Sequence, residues 1–143
     1  MKLVFISALL VLFTSVDWLD NFETAKEIAA KENKNILLNF SGSDWCAPCI
    51  KMKRNVFSTD VFKAYADQSL VLVQADFPRM KKNQLSKEQI QRNETLAEKY
   101  NPLGKFPLTL LLDANGKIIK EWDGYANQSP AVFVEEIKKI ANK

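Results

Sequence analysis

Between positions 20 and 32, apolar or small residues at Phe22, Ala25, Ile28 and Ala29 recur at helical spacing. The pattern predicts a helix, with Asp20 or Asn21 placed to cap its first turn. Asn33, Lys34 and Asn35 break the period, and the apolar run 36–40 then reads as a buried strand. Ile50, Met52, Val56 and Phe57 supply the apolar positions of a second helix over about 46–56, with Ser43 and Asp44 as good caps ahead of it. Ser58, Thr59 and Asp60 open a short helix carrying Val61, Phe62, Tyr65 and Ala66, and a strand follows from Leu70 to near Asp76. Strand, helix, strand in that order suggests a right-handed parallel unit.

Residues 77–93 are polar and lysine-rich, and helical spacing resumes over 86–100 through Ile90, Ala97 and Tyr100. This region reads as an insertion into the domain. Strands over 108–112 and 117–122 flank Asn115-Gly116, a hairpin signal because both residue types tolerate positive φ, so those two strands are expected to be antiparallel. Ser129 and Pro130 supply a cap and a first-turn proline for a last helix, with Val132, Phe133, Ile137 and Ile140 on its apolar side.

The chain has 143 residues, 47% of them hydrophobic, enough for one domain with its own core and too few for a second. Lys and Arg total 20 against 17 Asp and Glu, and the excess is scattered, so neither a nucleic-acid stripe nor a polybasic membrane patch emerges. The densest basic run surrounds Arg79, Lys81 and Lys82; it reads as a solvated loop, or as a device that steers an acidic partner. At the N-terminus, Lys2 precedes an apolar run from Leu3 to Phe13, which is the grammar of a signal peptide over 1–15. That run spans roughly 16 Å as a helix, short of a hydrocarbon core of about 30 Å, so a stable membrane span is not expected. An exported protein, periplasmic or secreted, is expected, with the domain over 16–143; the alternative is a buried first strand.

Cys46 and Cys49 are the only cysteines, and there is no histidine. A closed zinc site would therefore need carboxylates or a second chain, and no metal is expected. A structural disulfide suits an exported protein, yet a loop this short restrains the unfolded chain little. The redox reading accounts better for the placement. A cysteine opening a helix faces orphan N–H groups and the positive end of the helix dipole, which favour thiolate over thiol. Cys46 is the candidate nucleophile. Spacing of three residues returns Cys49 to the same face, where it can resolve a mixed disulfide formed at Cys46, and Cys49 is expected to be the more buried of the two. Between them, Ala47 and Pro48 support the motif, Pro48 by stiffening the first turn at no cost in hydrogen bonds. Trp45 either offers a flat contact to a substrate polypeptide or simply packs.

The order of elements, with Trp45-Cys46-Ala47-Pro48-Cys49 opening a helix and Phe106-Pro107 ahead of a hairpin, resembles the thioredoxin superfamily, in particular its exported bacterial members described as disulfide isomerases or thiol-disulfide oxidoreductases. The resemblance covers about residues 18–140. It implies an α/β fold with a central mixed sheet of four to five strands flanked by helices. It also implies that Pro107 is the family's cis-proline beside the dithiol, with Phe106 ahead of it leaving its backbone free for a substrate strand. Gly124 resembles the family glycine that leaves room near the site. Trp45, Phe106, Pro107 and Gly124 are thus the implied substrate-binding residues.

Two departures bear on mechanism. Asn39 stands where typical thioredoxins carry a buried aspartate, and an amide cannot take a proton from Cys49; Asp44, Asp76, Lys51 or a water could substitute. The stretch from Cys49 to Pro107 is also longer than in a minimal thioredoxin, which the insertion near 77–93 explains. The function expected is disulfide exchange with protein thiols through Cys46, leaning to reduction or isomerisation. It needs no cofactor in the chain, protein substrates bearing thiols or disulfides, and a separate protein as electron donor. The rival is a non-catalytic, chaperone-like or adaptor module that holds polypeptides with Trp45, Phe106 and the insertion.

Overall fold

A computed structural model describes residues 17–141, so the leader expected over 1–15 lies outside the described residues. Helix α1 (Phe22–Glu32) starts at Asn21, whose side chain accepts the N–H of Thr24, and ends at Asn33 in the left-handed conformation. Strand β1 (Asn35–Ser41) follows and is buried along almost its whole length. The burial follows from its position, because β1 lies in the middle of a four-stranded sheet ordered β2-β1-β3-β4. It pairs in parallel with β2 (Leu70–Asp76) and antiparallel with β3 (Leu108–Leu112), which pairs antiparallel with β4 (Ile118–Asp123).

Period-two alternation along β1 sorts its side chains between two cores. Ile36, Leu38 and Phe40 join Val71, Val73, Leu108 and Leu110 beneath α1 and α4 (Lys87–Tyr100). Leu37 joins Leu72 and Leu111 on the opposite face, under α2 (Ala47–Met52), α3 (Asp60–Ser69) and α5 (Pro130–Ala141). Phe57, Phe62 and Phe133 pack ring against ring in this second layer. Asn39 and Ser41 take the other buried positions of β1 facing that layer, which places an amide beside buried Thr109 at the edge of the apolar cluster.

The structure modifies four of the sequence expectations. The helix over 46–56 is two segments, α2 and a π-helical stretch Lys53–Phe57. Ser43 and Asp44 do not cap it; Cys46 holds the cap position, Ser43 is bound to Asp76 at the end of β2, and Asp44 is bound to the loop that follows. In the connection between β3 and β4 only Gly116 takes a positive φ, of 85°, so Asn115-Gly116 does not form the tight turn in which both would. On α5, Ser129 does cap as expected, but Val134 replaces Val132 in the core and Val132 is half exposed.

The expected insertion resolves into a loop over 77–86 containing one 3-10 turn, Lys81–Asn83, and then α4. Buried Gln89 and Asn93 on α4 anchor the loop's base: Asn93 Nδ2 donates to the carbonyl of Asp76, and Gln89 Nε2 donates to that of Asp20. No helix among the described residues is long and apolar enough to cross a membrane.

Candidate active site

The chain leaves the sheet at Ser41, turns through Gly42 to Trp45, and enters α2 at the cysteines. Cys46 and Cys49 are joined as a disulfide with their Cα atoms 5.2 Å apart, so the molecule is in its oxidised form. The Cys46 sulfur accepts the N–H of Cys49 at 3.3 Å. An N–H aimed at sulfur favours the charged thiolate once the bond is reduced. Pro48 sits in the first turn of α2, where a missing N–H leaves no helical bond unmade. The expected difference in burial between the cysteines is negligible, 5% exposed for Cys46 and 4% for Cys49. Their roles therefore rest on position, since Cys46 occupies the cap and Cys49 the interior of the turn.

Phe106-Pro107 is a cis peptide bond, as the resemblance implies. Leu108 pairs with Phe40 near the end of β1, so Pro107 stands beside the point where the chain departs toward Cys46. Phe106 meets Trp45 edge-on, with ring centroids 5.4 Å apart, and also meets Phe77 at 5.6 Å. Two of the expected binding residues are thus brought together directly. Gly124 donates its N–H to the carbonyl of Pro107 at 2.8 Å and has φ of 80°. A Cβ at Gly124 would meet nothing within 4 Å, so within this chain its backbone conformation, rather than crowding, is what requires glycine.

Several residues that hold this site are not among those singled out from the sequence. Asn101, buried, grips the next loop by donating to the carbonyl of Lys105 and accepting its N–H, both at 2.8 Å. Lys105 in turn contacts Asp123 at 2.9 Å and Glu121 at 3.2 Å. Its hydrogen bond to Asp123, then that to Glu121, raises its pKa. Across the site, Trp45 Nε1 donates to the carbonyl of Phe77 at 2.7 Å. Asp44 accepts the N–H groups of Arg79 and Met80, each at 2.9 Å, and the side-chain amide of Asn83 at 3.0 Å. The Arg79 N–H, followed by the Asn83 amide, lowers the pKa of Asp44. Asp76 accepts from the N–H and hydroxyl of Ser43. The end of β2 and the loop after it, as far as Asn83, are therefore clipped to the cysteine loop. Bonds between residues more than 30 positions apart leave no local signal in a sequence; the runs of capping residues at 43–44 and cations at 79–82 were the only trace.

Asn39 Nδ2 donates to Thr109 Oγ1 at 3.0 Å, and the Thr109 hydroxyl donates to Met52 Sδ at 3.9 Å. Met52 lies one helical turn beyond Cys49, so this buried polar chain runs under the dithiol turn. None of its side chains is ionisable. Of the proposed alternatives to the missing acid, Asp44 and Asp76 are committed to the loop clip, which leaves their carboxylates as acceptors of fixed protein hydrogens. No group of three or more Cys, His, Asp or Glu capable of holding a metal is present among the described residues.

Residues 17–114 match a family model described as Thioredoxin-like. The chain is 35% identical over 124 residues to the disulfide bond reductase DsbH of Chlamydia pneumoniae, covering 87% of this chain and 72% of that protein. A solved DsbH oxidoreductase structure superposes with a TM-score of 0.81 at 29% identity, covering 99% of this chain and 95% of the other. A disulphide isomerase from Xylella fastidiosa Temecula1 superposes with a TM-score of 0.61 at 17% identity, over 82% of this chain and 88% of that one, which speaks for the fold alone.

Proposed function

The chain belongs to the thioredoxin-like family, and we propose that it is a thiol-disulfide oxidoreductase working as a protein-disulfide reductase in an exported compartment. The observation that carries this reading is the bridged Cys46–Cys49 pair at the start of α2, with the Cys46 sulfur on the N–H of Cys49. The name of the Chlamydia pneumoniae relative supports reduction as the direction.

In the reductive cycle, the Cys46 thiolate attacks one sulfur of a substrate disulfide. A mixed disulfide forms and the first substrate thiolate leaves. Cys49, losing its proton, attacks the Cys46 sulfur and expels the second substrate thiolate, which is protonated. Two electrons have passed to the substrate, and the enzyme holds the Cys46–Cys49 bond seen here. A dithiol protein acting as electron donor reverses these two exchanges to regenerate the enzyme.

Trp45, Phe106, Pro107 and Gly124 are proposed to bind the substrate polypeptide, with Ala47 and Pro48 shaping the turn. Among the described residues the backbone of Phe106 makes no hydrogen bond, so its N–H and C=O are available to an extended substrate segment. Reduction of insulin, with dithiothreitol as donor, tests the reading. Wild type should accelerate precipitation of the insulin B chain, and Cys46→Ser should fall to the uncatalysed rate. Equal rates for the two proteins would remove the enzyme reading, and polypeptide binding that persists in an inactive wild type would establish the non-catalytic module instead.

A further inference from the structure

The loop after β2 places a cation without an ion-pair partner among the described residues on Trp45, next to the dithiol in sequence. The Arg79 guanidinium carbon lies 3.7 Å from the ring centroid of Trp45, the residue directly before Cys46. Arg79 is fixed from its backbone, because its N–H and that of Met80 bind the Asp44 carboxylate. That carboxylate is occupied by the loop's amides, and among the described residues the guanidinium forms no ion pair. Lys105, on the loop leading to Pro107, differs in being paired with Asp123 and Glu121. The Trp45 side of the site thus presents a guanidinium with no ion-pair partner among the described residues, whereas Lys105 is held by two carboxylates.

A guanidinium stacked on an indole keeps its edge N–H groups free, and those donors match a carboxylate in a fixed fork geometry. We propose that Arg79 is a specificity-determining residue that selects disulfide substrates carrying an acidic residue next to the target cysteine. The guanidinium binds that carboxylate and Trp45 holds the guanidinium in place. The inference rests on the reductase reading and names its substrate class; the exchange steps and their electron count are unchanged.

Two disulfide-bonded peptides that differ only in a Glu or Lys beside one half-cystine test it, through the ratio of their kcat/KM values. Wild type should prefer the Glu peptide by about two- to fivefold at low salt, the range of a partly exposed ion pair. The preference should fade near 1 M salt, where the screening length is about 3 Å. Arg79→Lys should keep part of the preference, Arg79→Gln should abolish it, and Arg79→Glu should invert it. A merely structural Arg79 would slow both peptides alike and leave the ratio unmoved in all three variants, which would overturn the proposal. Should a variant fail to fold, the wild-type ratio decides alone, and a ratio of one or a ratio indifferent to salt overturns the proposal. Wild type that reduces neither peptide would instead overturn the reductase reading and this inference with it, an outcome distinct from equal reduction of both.

Discussion

Gly42 and Trp45 are packed so closely that a side chain at Gly42 has no room: a Cβ there would overlap the indole at Cε2, Cζ2 and Nε1. The indole cannot simply give way, since Phe106 lies against one edge, Arg79 covers a face, and Nε1 is tied to the carbonyl of Phe77. Gly42→Ala is expected to destabilise the oxidised protein by about 1–3 kcal/mol, the usual cost of overpacking. It should also shift the Trp45 indole N–H resonance toward that of an unbonded indole. Unchanged urea midpoint and resonance would show that the clip tolerates displacement and does not fix Trp45.

Asp44 makes the same clip sensitive to acid. Its carboxyl has a lowered pKa in the folded protein, because the N–H of Arg79, and then the Asn83 amide, bind its charged form. For a depressed acid the stabilising contribution is complete above the unfolded value, about 3.9, and is lost as pH falls through the lower folded value. The amide resonances of Arg79 and Met80 should therefore stay constant from neutral pH down to about 4 and titrate together below it. Asp44→Ala should remove that titration and speed hydrogen exchange at both amides at neutral pH. Titration of these amides with a midpoint above the ordinary carboxyl range would contradict the assignment.

What could be read from the sequence was local. Helix and strand positions followed from apolar period, and the caps at Asn21, Thr59 and Ser129 each reach a backbone N–H three residues on. The Cys46–Cys49 pair was legible because its signal lies in adjacent residues, whereas the cis bond at Pro107 was expected only through the family resemblance. Ser43 and Asp44 misled for a physical reason: polar side chains that suit a helix cap also suit other partners, and here Asp44 accepts the N–H groups of Arg79 and Met80 while the Ser43 hydroxyl donates to the Asp76 carboxylate. Val132 and Val134 are separated by the exact facing of α5 on the sheet, which residue type does not encode. The aromatic group of Trp45, Phe77 and Phe106 joins three elements that only the sheet topology brings together.

The division of labour between the cysteines is open to a trapping experiment. Cys49→Ser keeps the nucleophile but removes the group that resolves the mixed disulfide, so incubation with a disulfide-bonded substrate should accumulate a one-to-one covalent adduct, cleaved by dithiothreitol. Cys46→Ser should give none. The reduced wild-type protein should also be alkylated by iodoacetamide first at Cys46, as peptide mass analysis would show. Adducts mapped to Cys49 in Cys46→Ser, at the level of the reciprocal variant, would reverse the assignment.

Asn39 bears on how the second exchange is completed. It is buried, bound to Thr109, and linked through that hydroxyl to Met52 one turn beyond Cys49, and it can carry no proton away from that thiol. Asn39→Asp would place a carboxyl in this layer with nearly the same volume. Burial should raise its folded-state pKa above the unfolded value of about 3.9. A raised acid binds more protons folded than unfolded, so the variant's deficit should be smallest below pH 4 and grow as pH rises through the folded value, reaching about 1–3 kcal/mol. Urea unfolding at a series of pH values measures this. The same carboxyl, once ionised, should speed single-turnover release of substrate from the mixed disulfide, by up to about 100-fold if it reaches the Cys49 proton as a general base. Lower stability with faster release would identify position 39 as the place where this chain has given up proton transfer for stability. A release rate equal to wild type at every pH would show instead that the Cys49 proton leaves directly to solvent, and that Asn39 serves only to link β1 to β3.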